Sequence, residues 1–347
     1  MSAKVVLVTG VSRYLGGRLA AELSADSSIE RIIGVDVVPP RAEVGRTEFV
    51  RADIRNPIIA KVIASAQVDT VVHMSVIATP FGAGGRTAMK EINVIGTMQL
   101  LAACQKAPSV RKLVVKSTTA VYGSSSRDPA LFTENMEPRG LPRSGYAKDS
   151  VEVEGYVRGL GRRRPDVDVT LLRFANFLGP DIDTPLTRYF ALPVVPTILG
   201  FDPRVQFVHE QDGLEVLRRA IVEDHRGTFN VAGDGVLLLS QAIRRAGRTS
   251  LPFPSPAITG VGSLVRRTGL VDFSPEQLRF LQFGRGVDTT RLHEDFGYLP
   301  RFDTVQAFDD FVAGMGLSRI IDPDRIEAVG RTVGALASAG AGVVGRA

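Results

Sequence analysis

The feature that most narrows the fold of this 347-residue chain is an alternation between short, unbroken apolar runs and stretches with helical spacing. Val5, Val6, Leu7 and Val8 form the first run, and Gly10 follows almost at once. Leu15, Leu19, Ala20 and Leu23 then recur at intervals that predict a helix over 15–23. A second strand is expected over 32–36. The order repeats with strands over 70–73, 112–115 and 169–174, and with helices over 92–104 and 150–160. Runs that are apolar at every position suit strands covered on both faces. Strand, helix, strand at this rhythm implies right-handed crossovers and an α/β fold with a doubly wound parallel sheet.

Beyond about residue 178 the rhythm breaks. Pro180, Pro185, Pro193, Pro196, Pro203, Pro252, Pro254 and Pro256 crowd the region, with a helical patch over 213–221. We expect a sheet domain over 1–178, to which a segment near 205–232 returns, a smaller irregular lobe over 179–322, and a tail over 323–347. The tail has too few large apolar residues to serve as a membrane anchor.

Lys and Arg exceed Asp and Glu by 42 − 37 = +5, too little to demand a polyanionic partner. One cysteine, Cys104, excludes an intrachain disulfide and suits a reducing, cytoplasmic compartment. Four scattered histidines leave no metal cluster, so no metal is expected. No window approaches the roughly 20 apolar residues of a spanning helix, and the first residues lack the long apolar core of a secretory signal.

The first strand-to-helix turn reads Thr9-Gly10-Val11-Ser12-Arg13-Tyr14-Leu15-Gly16. Glycines here let backbone approach a pyrophosphate, which then rests on the N–H groups opening the next helix. Gly10 suits the tight turn and Gly16 the close helix–strand contact. The middle glycine of the usual three is replaced, by Arg13 or by Tyr14 depending on alignment. Asp36 ends the second strand, where a carboxylate accepts both ribose hydroxyls of an adenosine and repels a 2′-phosphate. Arg13 argues the other way, since a guanidinium pairs with that phosphate. Asp36 carries more weight, and NAD is expected over NADP.

At this point the chain resembles the extended short-chain dehydrogenase/reductases, the NAD-dependent epimerase/dehydratase group (UDP-glucose/galactose 4-epimerase-like), over roughly residues 4–312. Asp53-Ile54 is similar to that family's adenine-contacting pair, and Val72-His73-Met74-Ser75-Val76 to its fourth-strand segment. Asn93 with Gly96-Thr97 matches the helix whose asparagine braces the active site. Ser117-Thr118-Thr119-Ala120-Val121-Tyr122-Gly123 resembles the catalytic strand end, with Thr118 at the catalytic position. Arg173, Asn176 and Gly179-Pro180 match the segment leading to the substrate lobe. Phe207 to Asp212 resembles the return strand, and 288–297 with Pro300 the C-terminal signature.

The resemblance implies a Rossmann fold and a cofactor site built from Gly10, Ser12, Arg13, Tyr14, Leu15, Gly16, Asp36, Asp53, Ile54, Met74, Ser75, Ser117, Tyr146 and Ser150. It implies a substrate site from Thr118, Asn176 and Arg204, the last where the family often places cations against a diphosphate. It also implies a homodimer paired through helices near 88–105 and 146–160.

Such a site needs a tyrosine that shuttles a proton to or from a carbinol while hydride moves to or from nicotinamide. Tyr146, 28 residues after Thr118, is placed for it. The family's Y-x-x-x-K is here Tyr146-Ala147-Lys148-Asp149-Ser150, so Ser150 holds the lysine position. Lys148, two residues on, points to nearly the opposite side of a helix. Lys116, two before Thr118 on a strand, shares its face and is a candidate for the missing charge. Thr119-Ala120 stands where sugar-nucleotide dehydratases carry an Asp-Glu pair, which disfavours water elimination.

His73 and Cys104 read as core residues. The basic runs at 162–164 and 266–267 lack interleaved aromatics and read as solvated loops, so no nucleic-acid partner is expected. The expected function is an NAD-dependent epimerase or oxidoreductase acting on a nucleotide sugar or similar carbonyl compound. The alternative is a catalytically silent dinucleotide-binding sensor, which the missing lysine and glycine favour.

Overall fold

The computed structural model describes residues 4–74, 77, 84–137, 145–254 and 274–317. Ser75, the run at 266–267 and the tail over 323–347 lie outside these residues. The main sheet contains β1 (Val5–Thr9), β2 (Arg31–Asp36), β3 (Glu48–Arg51), β4 (Thr70–His73), β5 (Lys112–Thr118), β6 (Asp168–Phe174) and the strand Gly227–Val231. Their spatial order is Gly227–Val231, β6, β5, β4, β1, β2, β3, and every neighbouring pair is parallel. Strand order reverses between β1 and β4, where an open α/β sheet leaves a crevice at its carboxyl ends.

The unbroken apolar runs have a direct cause. Val6 and Val8 of β1, Ile32 of β2, Val72 of β4, Val114 of β5 and Leu172 of β6 enter one core, with helix Tyr14–Ser24 and helix Glu210–Val222. Their neighbours Leu7, Ile33, Val71, Leu113, Val115 and Leu171 enter a second core on the opposite face. That face is covered by helices Ile58–Ser65, Thr97–Lys106 and Gly145–Arg163. Alternate residues point to opposite faces of a strand, so a strand buried twice must be apolar throughout.

Before β4, the sequence expectation lacks β3 and helix Ile58–Ser65. β3 reads Glu-Phe-Val-Arg, an edge strand with exposed charged ends, so no apolar run announces it. The helix expected over 92–104 starts earlier, at Arg86, and runs through a π-helical turn over Glu91–Gly96 before Thr97–Lys106.

The helical patch expected over 213–221 is helix Glu210–Val222, and its Leu214, Leu217 and Ile221 pack in the first core. Leu292, Phe296 and Tyr298 return to that core as well. A third core, built on Tyr189, Phe190, Phe207, Phe308 and Phe311, holds the irregular lobe. The prolines there have structural places. Pro185 opens helix Pro185–Ala191, where its missing N–H costs no helical bond, behind a capping box between Thr184 and Thr187. Among the described residues no helix is long and apolar enough to cross a membrane.

Candidate active site

The turn after β1 is shaped by two glycines. Gly10 adopts φ 79°, a left-handed conformation that favours glycine, and its N–H donates to the Val35 carbonyl at 2.9 Å. A Cβ on Gly16 would lie 2.2 Å from the Gly10 carbonyl oxygen, so only glycine lets helix Tyr14–Ser24 approach β1 this closely. Arg13 has φ −93° and ψ 152°, ordinary extended backbone, so a side chain is tolerated where the family has its middle glycine. No side chain caps the helix that follows.

Asp36 stands at the end of β2 beside this turn. Its Oδ2 accepts the Ser12 N–H at 3.1 Å and its Oδ1 accepts the Val37 N–H at 2.7 Å. Each oxygen keeps a further lone pair for a ribose hydroxyl. The Ser12 hydroxyl donates to the Val38 carbonyl. Tyr14 donates to Glu210 at 2.6 Å and accepts from Arg18 at 2.9 Å, tying the turn to the start of helix Glu210–Val222. Leu15 packs against the first core.

Asp53 is engaged by Arg55, whose hydrogen bonds hold its carboxyl below the usual range. Ile54 is buried in the second core against Gly96, so its side chain faces inward. Met74 is buried in the first core, and its N–H donates to Thr9 Oγ1 at 3.1 Å.

Two cations reach this region. Lys116 Nζ lies 5.6 Å from the centre of the Phe177 ring. Desolvation, reinforced by the charge of Arg13, pushes Lys116 down to about 8. Arg13 is itself lowered by desolvation, offset in part by Asp36. Lys116 thus lies over Phe177 with its charge facing Arg13 and felt at His73. A lysine stem is long enough to leave the face its Cα shares with Thr118 and lie over a neighbouring ring.

The reactive centre forms where β5 ends and helix Gly145–Arg163 begins. Thr118 Oγ1 accepts the Ala120 N–H at 3.1 Å, and its side chain faces the Tyr146 hydroxyl. Burial pushes the Tyr146 phenol up to about 12; Thr118 opposes the rise, Glu276 adds to it, and Ser150 and Arg285 oppose it more weakly. Ser150 is buried, and its hydroxyl donates to the Tyr146 carbonyl at 2.9 Å. Ser117 points the other way, donating to Glu154 at 2.6 Å.

A polar network fixes this strand end from behind. Arg173 donates to Glu154 at 3.0 and 2.7 Å, and also to the Tyr122 hydroxyl at 2.7 Å. Tyr122 in turn donates to Asn230 at 2.8 Å. Asn93 accepts the Ile77 N–H at 2.7 Å and donates to the Ile77 carbonyl at 2.9 Å. Asp149, beside Ser150, is fully buried and takes two 2.6 Å bonds from Arg86.

His73 is saturated, as a core residue must be. Thr97 donates to the Asn93 carbonyl at 2.5 Å, so its oxygen accepts from His73 Nε2 at 2.8 Å. Nδ1 then accepts from Thr9 at 3.0 Å. Burial, with the charge of Lys116, lowers His73 to about 4. Cys104 lies in the second core and is raised to about 12 by burial.

The structure therefore brings together Gly10, Ser12, Arg13, Gly16 and Asp36 at one place and Thr118, Tyr146 and Ser150 at another. Asn176 opens the short strand Asn176–Leu178, opposite Phe207. Arg204 is exposed and lines a groove with Leu131, Val236, Asp288 and His293, none of which bonds to Tyr146.

Two site residues had no signal in the sequence. Glu276 accepts the Ala147 N–H at 3.1 and 3.2 Å, and Arg285 donates to the Gly123 carbonyl at 2.8 Å. Arg285 stands just before the segment 288–297, and its meaning depends on a fold contact 162 positions away.

The residues present fit a dinucleotide. Gly10 and Gly16 hold the turn tight against helix Tyr14–Ser24, Asp36 keeps acceptors free, and Arg13 and Lys116 form no ion pair among the described residues. Two like charges held so near each other favour a bound polyanion such as a pyrophosphate.

The model of the NAD dependent epimerase/dehydratase family matches residues 6–232. An uncharacterized protein of Mycobacterium tuberculosis is 53% identical over 336 residues, covering 95% of this chain and 89% of that protein. The UDP-glucose 4-epimerase 2 of Oryza sativa subsp. japonica is 29% identical over 197 residues, 51% of this chain and 45% of its own length. Among solved structures, a UDP-glucose 4-epimerase from Thermotoga maritima with UDP-glucose has a TM-score of 0.69 at 18% identity, covering 90% of this chain and 98% of that one. The Thermus thermophilus UDP-glucose 4-epimerase in complex with NAD has a TM-score of 0.68 at 21% identity, covering 90% and 99%. At such identities the solved structures establish a common fold.

Proposed function

Since the chain belongs to the NAD-dependent epimerase/dehydratase family, we propose that it is an NAD-dependent epimerase or oxidoreductase acting on a nucleotide sugar or a similar carbinol or carbonyl compound. The observation that carries this reading is the Tyr146 hydroxyl facing the Thr118 side chain at the carboxyl end of β5.

The turn from Gly10 to Gly16 and Asp36 would hold the dinucleotide, with Arg13 and Lys116 offsetting its pyrophosphate charge. When bound, it supplies the hydride acceptor and donor. The chain's own part is the proton. Thr118 fixes the carbinol oxygen, and Tyr146 takes the proton from that oxygen or returns it. With its phenol at about 12, Tyr146 rests as the neutral acid, ready to give its proton to a carbonyl oxygen, and takes one from a carbinol only as the minor phenolate.

One specific observation favours the alternative of a silent dinucleotide sensor: Ser150 puts no charge one turn beyond Tyr146. The test is to denature the purified protein, assay released NAD(H) and NADP(H), and offer UDP-, GDP- and dTDP-sugars. Retained NAD with turnover of one sugar supports the enzyme. Bound NAD with no turnover supports the sensor, and no binding of either dinucleotide defeats both.

We further propose a cytoplasmic homodimer paired through helices Thr97–Lys106 and Gly145–Arg163. Met98 and Tyr156 are apolar side chains exposed on these helices. Light scattering that gives a monomer mass would refute the dimer.

A further inference from the structure

Tyr146 lacks the cation that a serine at position 150 cannot supply, and the two nearest lysines in sequence do not provide it. Lys148 pairs with Glu152 at 4.0 Å, and Lys116 lies over Phe177. Arg285 does reach the site. Its Nε donates to the Gly123 carbonyl at 2.8 Å, and its two Nη donate to Thr119 Oγ1 at 3.4 Å and Ser124 Oγ at 3.2 Å. Its guanidinium also lies 5.3 Å from the centre of the Phe280 ring. Among the described residues no carboxylate forms an ion pair with it. The guanidinium is therefore fixed on the segment that begins at Thr118, with its charge uncancelled by direct contact.

We propose that Arg285 takes over the electrostatic role of the absent lysine, as a positioning residue whose fixed charge favours the ionised form of Tyr146. The inference rests on reading Tyr146 as the acid/base. The charges around the pair are few. Tyr146 is faced by Glu276 and Arg285. Arg285 is faced by Glu276, Asp128, Tyr146 and Tyr122, and Glu276 by Arg285, Asp149 and Arg86. Asp149 is committed to Arg86, so among the described residues Glu276 is the carboxylate that opposes Arg285 at the phenol.

Desolvation lowers Arg285 only to about 10, so it stays charged at neutral pH.

The test needs neither substrate nor cofactor. Difluorotyrosine placed at position 146 of the full chain brings the phenol into a mild pH range, and fluorine NMR follows its ionisation. Arg285→Gln keeps donors for the Gly123 carbonyl and removes the charge, so the phenol is expected to titrate about one unit higher. Arg285→Lys should restore most of that shift, and Glu276→Gln should move the phenol the opposite way. Should Arg285→Gln not fold, Arg285→Met is read instead. A folded, charge-free variant that titrates as the parent does overturns the proposal, as does a shift that Arg285→Lys leaves wholly unrestored. A protein that binds no dinucleotide would instead refute the enzyme reading, without altering this titration.

Discussion

Both carboxylate oxygens of Glu276 accept the amide of Ala147, at 3.1 and 3.2 Å, across 129 positions of sequence. The bond satisfies one of the free N–H groups at the start of helix Gly145–Arg163 and places a carboxylate beside the phenol next door. One residue of a distant segment thus holds the helix start and bears on the electrostatics of Tyr146.

Tyr146→Phe keeps the ring and removes the proton. Turnover of any accepted substrate is expected to fall roughly 10²–10⁴-fold. Released dinucleotide after denaturation should stay near the parent level, because the turn proposed to hold it is untouched.

Gly16→Ala drives a Cβ to within 2.2 Å of the Gly10 carbonyl oxygen, a backbone atom that cannot swing aside. Helix Tyr14–Ser24 must shift from β1, at an expected loss of about 1–3 kcal/mol in denaturant unfolding. Dinucleotide affinity measured by calorimetry should drop with it.

His73 ties stability to acid. Its folded value of about 4 lies below the roughly 6.5 of an exposed histidine, so below that pH the unfolded chain takes up the proton first. The stabilisation is whole above pH 6.5, shrinks as pH falls, and is gone below about 4. Some 2.5 units correspond to about 3 kcal/mol. Urea midpoints between pH 4 and 7 should therefore fall more steeply in the parent than in His73→Gln, which carries no titrating ring.

Arg164 closes the end of helix Thr97–Lys106. Its Nη atoms donate to the carbonyls of Cys104, Gln105, Ala107 and Val110 at 3.0, 3.1, 3.2 and 3.1 Å, and it pairs with Asp166 at 2.7 Å. Arg164→Ala leaves these acceptors to water or unpaired, and thermal unfolding should register a loss of about 1–3 kcal/mol. Unchanged stability would mean that solvent replaces all four bonds.

The sheet was legible because a doubly buried strand writes its environment into every residue. β4 and β1 each run one residue past their apolar residues, to His73 and Thr9. The glycine turn was legible for a similar reason, since Gly10 and Gly16 answer to local backbone geometry. β3 escaped because an edge strand with charged ends carries no such record.

The site was legible only in part. Thr118 and Tyr146 stand out by type and interval, yet nothing nearby reveals that Ser117 turns toward Glu154, or that Lys116 lies over Phe177. The long arm of Lys116 settles where the surrounding rings and charges leave it room.

From its residues alone the chain determined the parallel sheet, the phosphate-type turn and the tyrosine at its edge, because each depends on spacings of a few positions along one backbone. The packed molecule alone decided which charges stand around that tyrosine. Glu276 and Arg285 arrive from segments 130 and 139 positions beyond Tyr146, and only the packing of the folded chain brings them within electrostatic reach.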